Sequence, residues 1–333
     1  MAKMTIKDIA KLTNVSVATV SRYINGQTKR MSPATAQRIA AIIKKYDFIP
    51  NKAAQQLKLK KTGLIGVMIA NIDDNFATEV FNGADAILQT AGYDAILVNA
   101  GDSLERETTQ MAKLRRQQID GLILQPLVNQ TAHYNKLMTQ ALPTVLVDRY
   151  TLPYQWPSVT SNNFDVGQAL AHVISSKKYQ QVIIYTENPQ FVTSRYERIQ
   201  GLQSALKTTT LKIIIKQISA KDFNQAQNYT ELKALTNNFQ IKTAIIALKE
   251  ELLIQILALI NFYQLKYPTQ IGITGFADSP MLAILAPDLT LVSQGPYAIG
   301  AIAAEMLIKQ LNNTPSANLD YQHPATIKKR RSL

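Results

Sequence analysis

Hydrophobic positions recur along this chain with two different periods, and the point where the period changes divides it. In the first fifty residues the spacing is helical. Ile6, Ile9 and Ala10 share one face of a short segment that Thr5 can cap, with Asp8 in the capping-box position. After the turn Thr13-Asn14-Val15, Ser16 can cap a second segment. There Val20 and Ile24 point inward, while Val17, Ala18, Ser21 and Arg22 lie on the other side. Ser32-Pro33 opens a third segment that runs to about Lys45; proline costs nothing at a first helical position, where its missing N–H would have no partner. From Gly63 the pattern changes. Residues 64–70 form a continuous apolar run, as expected of a strand buried on both faces of a parallel sheet. Helical spacing follows at 77–90, strand-like runs at 93–99, 121–125 and 144–148, and helical segments between them at 104–117 and 134–140. A turn-rich stretch spans 151–157, and the alternation restarts: helix 165–176, strand 181–186, helix 195–207, strand 211–218, helix 228–238, strand 244–248, helix 252–265, strand 271–275. The pattern predicts an α/β fold of two doubly wound parallel-sheet lobes behind a three-helix headpiece. In open sheets of this kind ligands bind beyond the carboxyl ends of the strands, so a cleft between the lobes is the expected ligand site.

Charge sharpens the division. The 333 residues carry a net +13, but residues 1–62 hold thirteen Lys and Arg against Asp8 and Asp47, a net +11. The body from 63 to 327 nets −2. A small basic head on a nearly neutral body is the electrostatic layout of a nucleic-acid binder. With three short helices and a three-residue turn, the head reads as a helix-turn-helix whose second helix enters the major groove. There is no cysteine, which excludes disulfides and thiolate chemistry. The beginning of the chain has no apolar signal core and no apolar run approaches the ~20 residues of a membrane span, so the expected location is the cytoplasm, with no membrane partner. The three histidines, His133, His172 and His323, lack metal-ligand spacing, and no phosphate-binding glycine loop or nucleophile elbow is present. The sequence therefore reads as no enzyme, with no cofactor and no metal.

Thr5-Ile6-Lys7-Asp8-Ile9-Ala10, Val15-Ser16-Val17-Ala18-Thr19-Val20-Ser21-Arg22 and Asn25-Gly26, followed by Ile49-Pro50-Asn51-Lys52-Ala53-Ala54-Gln55-Gln56-Leu57, resemble in order and spacing the headpiece and hinge of the lactose/galactose repressor (LacI/GalR) family of transcription regulators. The body resembles periplasmic sugar-binding proteins and the regulatory core of the same family. The resemblance implies a homodimer that reads an inverted-repeat DNA operator and answers to a sugar-derived effector. It places Val17, Ala18 and Arg22 at base edges, where arginine can bond guanine O6 and N7. Thr5, Ser16, Thr19, Ser21 and Asn25 fall at phosphates, Asn51 in the hinge, and Leu57 where the family wedges the minor groove; a core contact of a short helix is the other reading of Leu57. Residues 51–58 would fold as a hinge helix only on specific DNA. The family's chain path gives a headpiece at 1–49, a hinge at 50–62, a first lobe of 63–161 with 293–318, and a second of 162–292 with 319–328.

Segments at strand ends nominate effector contacts: Asn75 and Phe76, Asp148 and Arg149, Arg198, Lys249, and Asp278. Arg198-Ile199-Gln200-Gly201-Leu202 resembles the family motif whose arginine grips the ligand. Two departures point to an anion: Lys249-Glu250 stands where many members carry Asn-Asp, and Ala277 where an acid or amide often meets sugar hydroxyls. Arg149, Arg198 and Lys249 would share a carboxylate or phosphate, which would relieve their mutual repulsion. Arg22-Tyr23-Ile24-Asn25-Gly26, Met31-Ser32 and Thr193–Arg198 further resemble the branch that senses 2-keto-3-deoxygluconate, which makes a sugar acid or a sugar phosphate the expected effector. A plain sugar-binding protein, and a carbon regulator working with a phosphocarrier protein, are the competing readings. The basic end, Lys328–Arg331, reads as a solvated tail, with an auxiliary phosphate contact as the alternative.

Overall fold

Thr5 caps the first helix in the computed structural model, which describes residues 4–24, 26–28, 31–48, 61–138, 142–207, 209–314 and 320–333. The chain forms two compact units, 1–62 and 63–333. In the first, α1 (Ile6–Thr13) opens with a complete capping box: Asp8 N donates to Thr5 Oγ1 and Thr5 N to Asp8 Oδ2. Asn14, left-handed at φ 52°, closes it, because a short amide side chain tolerates that region. Ser16 Oγ accepts from Thr19 N at 3.1 Å at the start of α2 (Val17–Ile24), and Ser32 Oγ from Thr35 N at 3.2 Å at the start of α3 (Pro33–Lys45). Ile9, Ala10, Val20 and Ile39 form the core they share.

The second unit holds two six-stranded sheets. The first contains β1 (Leu64–Ile69), β2 (Asp94–Asn99), β3 (Gly121–Leu124), β4 (Thr144–Val147), β5 (Ser158–Ser161) and β11 (Asp320–His323), in the order β11-β5-β4-β3-β1-β2 and parallel throughout. Around it lie α4 (Asn75–Thr90), α5 (Leu104–Arg116), α6 (Thr131–Leu137) and α12 (Pro296–Leu311). The second sheet contains β6 (Gln181–Thr186), β7 (Lys212–Gln217), β8 (Thr243–Ala247), β9 (Ile271–Phe276), β10 (Thr290–Ser293) and β12 (Thr326–Lys328), in the order β12-β10-β9-β8-β6-β7, with β12 alone antiparallel. Its helices are α7 (Asn163–Ser175), α8 (Thr193–Leu206), α9 (Gln225–Leu235), α10 (Glu250–Phe262) and α11 (Pro280–Leu285). Apolar clusters cover both faces of each sheet, which is why the central strands read as unbroken apolar runs.

The chain passes between the lobes three times: after β5, after β10, and between β11 and β12. The last passage corrects the boundary expected at 319. Residues 320–323 pair with β5 of the first sheet, Asp320 opposite Ser158 and His323 opposite Ser161. β5 offers an open parallel edge there, and Ser158 Oγ donates to Asp320 Oδ1 at 2.8 Å. The basic end keeps the side chains of Lys328, Lys329 and Arg331 exposed, as a solvated segment would, but its backbone is not a loose tail. Arg330 N donates to Thr290 Oγ1, Ser332 bonds Ile273 and Thr290, and Ser332 and Leu333 are buried.

Two helix pairs cross at backbone contact. A Cβ on Gly300 of α12 would lie 1.9 Å from Val80 O of α4. A Cβ on Gly201 of α8 would lie 2.1 Å from Phe164 O of α7, so only glycine lets α8 come this close.

Candidate functional site

Two surfaces carry the chemistry. On the headpiece, Val17, Ala18 and Arg22 are exposed together on one side of α2, opposite buried Val20. Val17 is 43% exposed there. Ser16, Thr19 and Arg22 also border a polar hollow with Gln27, Ser32 and Thr35, in which the Ser16–Thr19 and Ser32–Thr35 hydroxyl pairs each meet at 2.9 Å. Sequence reasoning missed Gln27 and Thr35 and read Ser32 only as a cap. Thr5 is engaged differently from the others: its N and its Oγ both donate to Asp8, which leaves it no donor for a phosphate. Ser21 is half-buried. Asn25, Asn51 and Leu57 lie outside the described residues.

In the larger unit, the carboxyl ends of strands from both sheets converge on a cleft with about 430 Å³ of empty space. Its walls include Phe76, Asp148, Arg149, Arg198, Lys249 and Asp278, so six of the seven nominated effector residues meet there. Asn75 is not part of the wall; it begins α4, with its buried Nδ2 unbonded. Arg198 is the most enclosed cation. Its Nε donates to Asn163 Oδ1 at 2.8 Å and its Nη1 to Leu248 O at 2.9 Å, and the guanidinium lies 4.2 Å from the centre of the Phe276 ring. The Gly201 contact explains the motif, since it seats α8 against α7 within reach of Asn163. Asp148 sits just past the end of β4 in the left-handed region at φ 65°, where its Oδ2 accepts from Gln125 and Arg149. Asp278 turns its carboxylate onto Ser293 Oγ (2.6 Å) and Gln294 N (3.0 Å) and so fixes the passage into α12.

The charges balance internally, which the sequence did not show. Arg149 pairs with Asp148 at 3.0 Å and Arg195 with Glu187 at 2.6 Å. Lys249 meets Glu187 at 3.3 Å, Glu251 at 3.0 Å and, across the cleft, Asp102 of the first lobe at 3.9 Å. Burial pushes the Lys249 ammonium down, but these three carboxylates outweigh it and the net effect is upward. The expected repulsion among Arg149, Arg198 and Lys249 is therefore largely met by the protein's own acids. Arg198 differs: among the described residues no carboxylate lies within ion-pairing distance of it. Burial, reinforced by Arg195 and Arg149 against the pull of Asp148, lowers its pKa to about 10. Asp74 caps α4 by accepting from Phe76 N, and burial raises its pKa to about 6. Burial also raises Glu250, whose Oε2 accepts from Asp278 N and Ser279 N.

The wall also holds Asp74, Ser194 and Arg195, which lie in the strand-end segments 71–76 and 194–198 that the sequence places at the cleft, and Gln294, with Glu187 behind it; the last two are not evident as site residues from the sequence. A signal existed for both. Glu187 and Gln294 each immediately follow a strand whose carboxyl end faces the cleft. No group of three or more His, Asp and Glu among the described residues is arranged to hold a metal ion.

Comparison with known proteins fits both surfaces. Residues 5–51 match the family model of bacterial regulatory proteins, lacI family, and residues 65–315 match a periplasmic binding protein domain. The HTH-type transcriptional regulator KdgR of Bacillus subtilis is 30% identical over 332 residues, 99% of this chain and 97% of that protein. The ribose operon repressor of Halalkalibacterium halodurans is 28% identical over 323 residues, covering 97% and 95%. Among solved structures, a LacI transcriptional regulator from Lactobacillus brevis superposes with a TM-score of 0.72 at 31% identity, over 80% of this chain and all of that one. The Lac repressor bound to ONPG superposes with a TM-score of 0.83 over 99% of both chains; at 19% identity this is a likeness of fold.

Proposed function

The chain belongs to the lacI family of bacterial regulatory proteins, DNA-binding transcription regulators and not enzymes, and on that premise we propose that it is a cytoplasmic, homodimeric repressor of carbohydrate-utilisation genes released or engaged by a sugar acid. In this reading α2 lies in the major groove of an inverted-repeat operator. Val17, Ala18 and Arg22 read base edges; Ser16, Thr19, Ser21 and Asn25 hold phosphates; Asn51 and Leu57 act from the hinge. The exposed apolar side chains Ile254, Met281 and Leu285, gathered along α10 and α11, support a second copy as partner.

One observation carries the choice of effector. Arg198 is an enclosed cation with no carboxylate within ion-pairing distance among the described residues, its guanidinium lies 4.2 Å from the centre of the Phe276 ring, and a single carboxylate can engage its remaining N–H donors bidentately. The other cations of the wall, Arg149, Arg195 and Lys249, already have carboxylate partners, which makes Arg198 the one still to be paired among the described residues. Asp74, Asp148 and neighbouring polar groups suit hydroxyls. A polyhydroxy monoacid such as 2-keto-3-deoxygluconate fits that inventory better than a phosphate dianion. Calorimetric titration with sugar acids, sugar phosphates and neutral sugars tests this. Binding by sugar acids alone is expected, and binding by neutral sugars without sugar acids refutes it.

A further inference from the structure

The end of the second lobe farthest from the cleft is strongly basic, and neither the headpiece nor the effector site accounts for it. The turns that lead into β6, β7, β8 and β9 contribute there, as does the segment after β12. Lys177 and Lys178 close the turn from α7 into β6, Lys207 and Lys212 flank the one into β7, and Lys242 and Lys266 precede β8 and β9. Lys329, Arg330 and Arg331 follow β12, which runs antiparallel to β10 and so ends at the same edge. Hydrogen bonds tie these turns together. Gln180 N donates to Lys242 O at 2.8 Å, Lys212 N to Gln180 O at 3.1 Å, and Lys242 Nζ to Lys177 O at 2.6 Å. At the other side, Ser332 N donates to Asp288 O at the turn into β10. Among the described residues of these turns the one acid is Asp288, and Arg331 takes it at 2.7 Å.

This bias is marked because residues 63–333 as a whole net only +2. The bases follow the strand order from β7 to β12. Six strands set about 4.8 Å apart make a row about 24 Å long. That is the length of about seven base pairs of duplex, which presents one phosphate charge per ~1.7 Å. A protein partner would be expected to meet an apolar centre. The turns themselves offer none: among their described residues no large apolar side chain is exposed, and the exposed apolar side chains beside them, Phe262 and Ile284 with Leu285, sit on two separate helix ends. We propose that this basic edge is a second nucleic-acid contact, which takes the phosphate backbone of double-stranded DNA without reading its sequence. The chain would then hold a second DNA segment besides the one at its headpiece.

The test uses the full chain and a 30-base-pair duplex of random sequence, with lysine acetylation followed by mass spectrometry. DNA is expected to slow acetylation of Lys178, Lys207, Lys212 and Lys266 about threefold or more, in addition to the lysines of residues 1–62. Protection confined to residues 1–62 overturns the proposal. The quadruple substitution Lys178→Gln, Lys207→Gln, Lys212→Gln, Lys266→Gln touches only exposed side chains, so an unchanged melting curve is expected. It should weaken duplex binding about tenfold or more at low salt and reduce the salt slope by about 0.9 for each phosphate no longer neutralised. An unchanged affinity and slope overturn it. Loss of binding to a polyglutamate peptide with DNA binding intact also overturns it, in favour of an acidic protein partner.

Discussion

Replacing Arg198 with methionine separates a ligand-binding arginine from a structural one. Burial lowers the pKa of Arg198 from 12.5 to about 10, so holding its charge inside the cleft costs about 3 kcal/mol. Methionine removes that cost and keeps most of the volume against Phe276. It also removes two hydrogen bonds, leaving Asn163 Oδ1 and Leu248 O without their donor, at about 1–3 kcal/mol each. Together the two lost bonds cost about 2–6 kcal/mol against that ~3 kcal/mol of relief, so the net loss centres near ~1 kcal/mol, as is common when a buried charge gives way to an apolar isostere. Arg198→Met should therefore melt within about 4 °C of the parent without ligand and lose the sugar-acid signal in calorimetry. An arginine completing a buried ion pair would cost ~3–5 kcal/mol when removed, a fall of roughly 6 °C or more for a domain of this size. A large fall in melting temperature with sugar-acid affinity unchanged refutes the reasoning.

Three further outcomes follow from the geometry. Asp74 is an acid whose folded pKa, about 6, lies above its unfolded value, so the native state holds its proton more tightly; stability contributed by that proton is fully present below pH 3.8 and is lost as pH rises through 6, and Asp74→Asn should remove about 2 kcal/mol of the fall between pH 4 and pH 6 in denaturant titrations. Gly201→Ala places a Cβ 2.1 Å from Phe164 O and should cost about 1–3 kcal/mol by thermal melting while weakening effector binding through displacement of Arg198; a neutral effect contradicts the close crossing of α7 and α8. Lys249→Met and Glu187→Gln should each destabilise, while the double variant loses less than the two together by at least about 0.5 kcal/mol, since each leaves the other's charge unmatched; strict additivity in melting experiments rules out that coupling.

Much of the fold was legible because its central strands are buried on both faces and read as apolar runs. What escaped detection was polar. β5 is Ser-Val-Thr-Ser, fully buried although three of its four side chains are hydroxyls, and its Ser158 is matched by Asp320 from a strand over 150 residues away. β11 is an exposed edge strand with no apolar pattern, so the last passage between lobes was misplaced. The cleft was legible by the same rule that placed strand ends there, and it gathered residues from six separate segments. The pairing of charges was not. Lys249 read as a free cation because nothing local reveals that Glu187, 62 positions earlier, reaches it. The case for an anion consequently rests on one cation, Arg198, rather than on a crowd of them.

The central claim is that occupancy of this cleft controls DNA binding by the headpiece. Operator fragments recovered by genomic selection, labelled and titrated by fluorescence anisotropy with and without saturating 2-keto-3-deoxygluconate, test it directly. The account predicts that the sugar acid shifts operator affinity about 5- to 150-fold, and that Arg198→Met abolishes the shift while binding operator normally in its absence. Operator affinity unmoved by a sugar acid that calorimetry shows to be bound would contradict it.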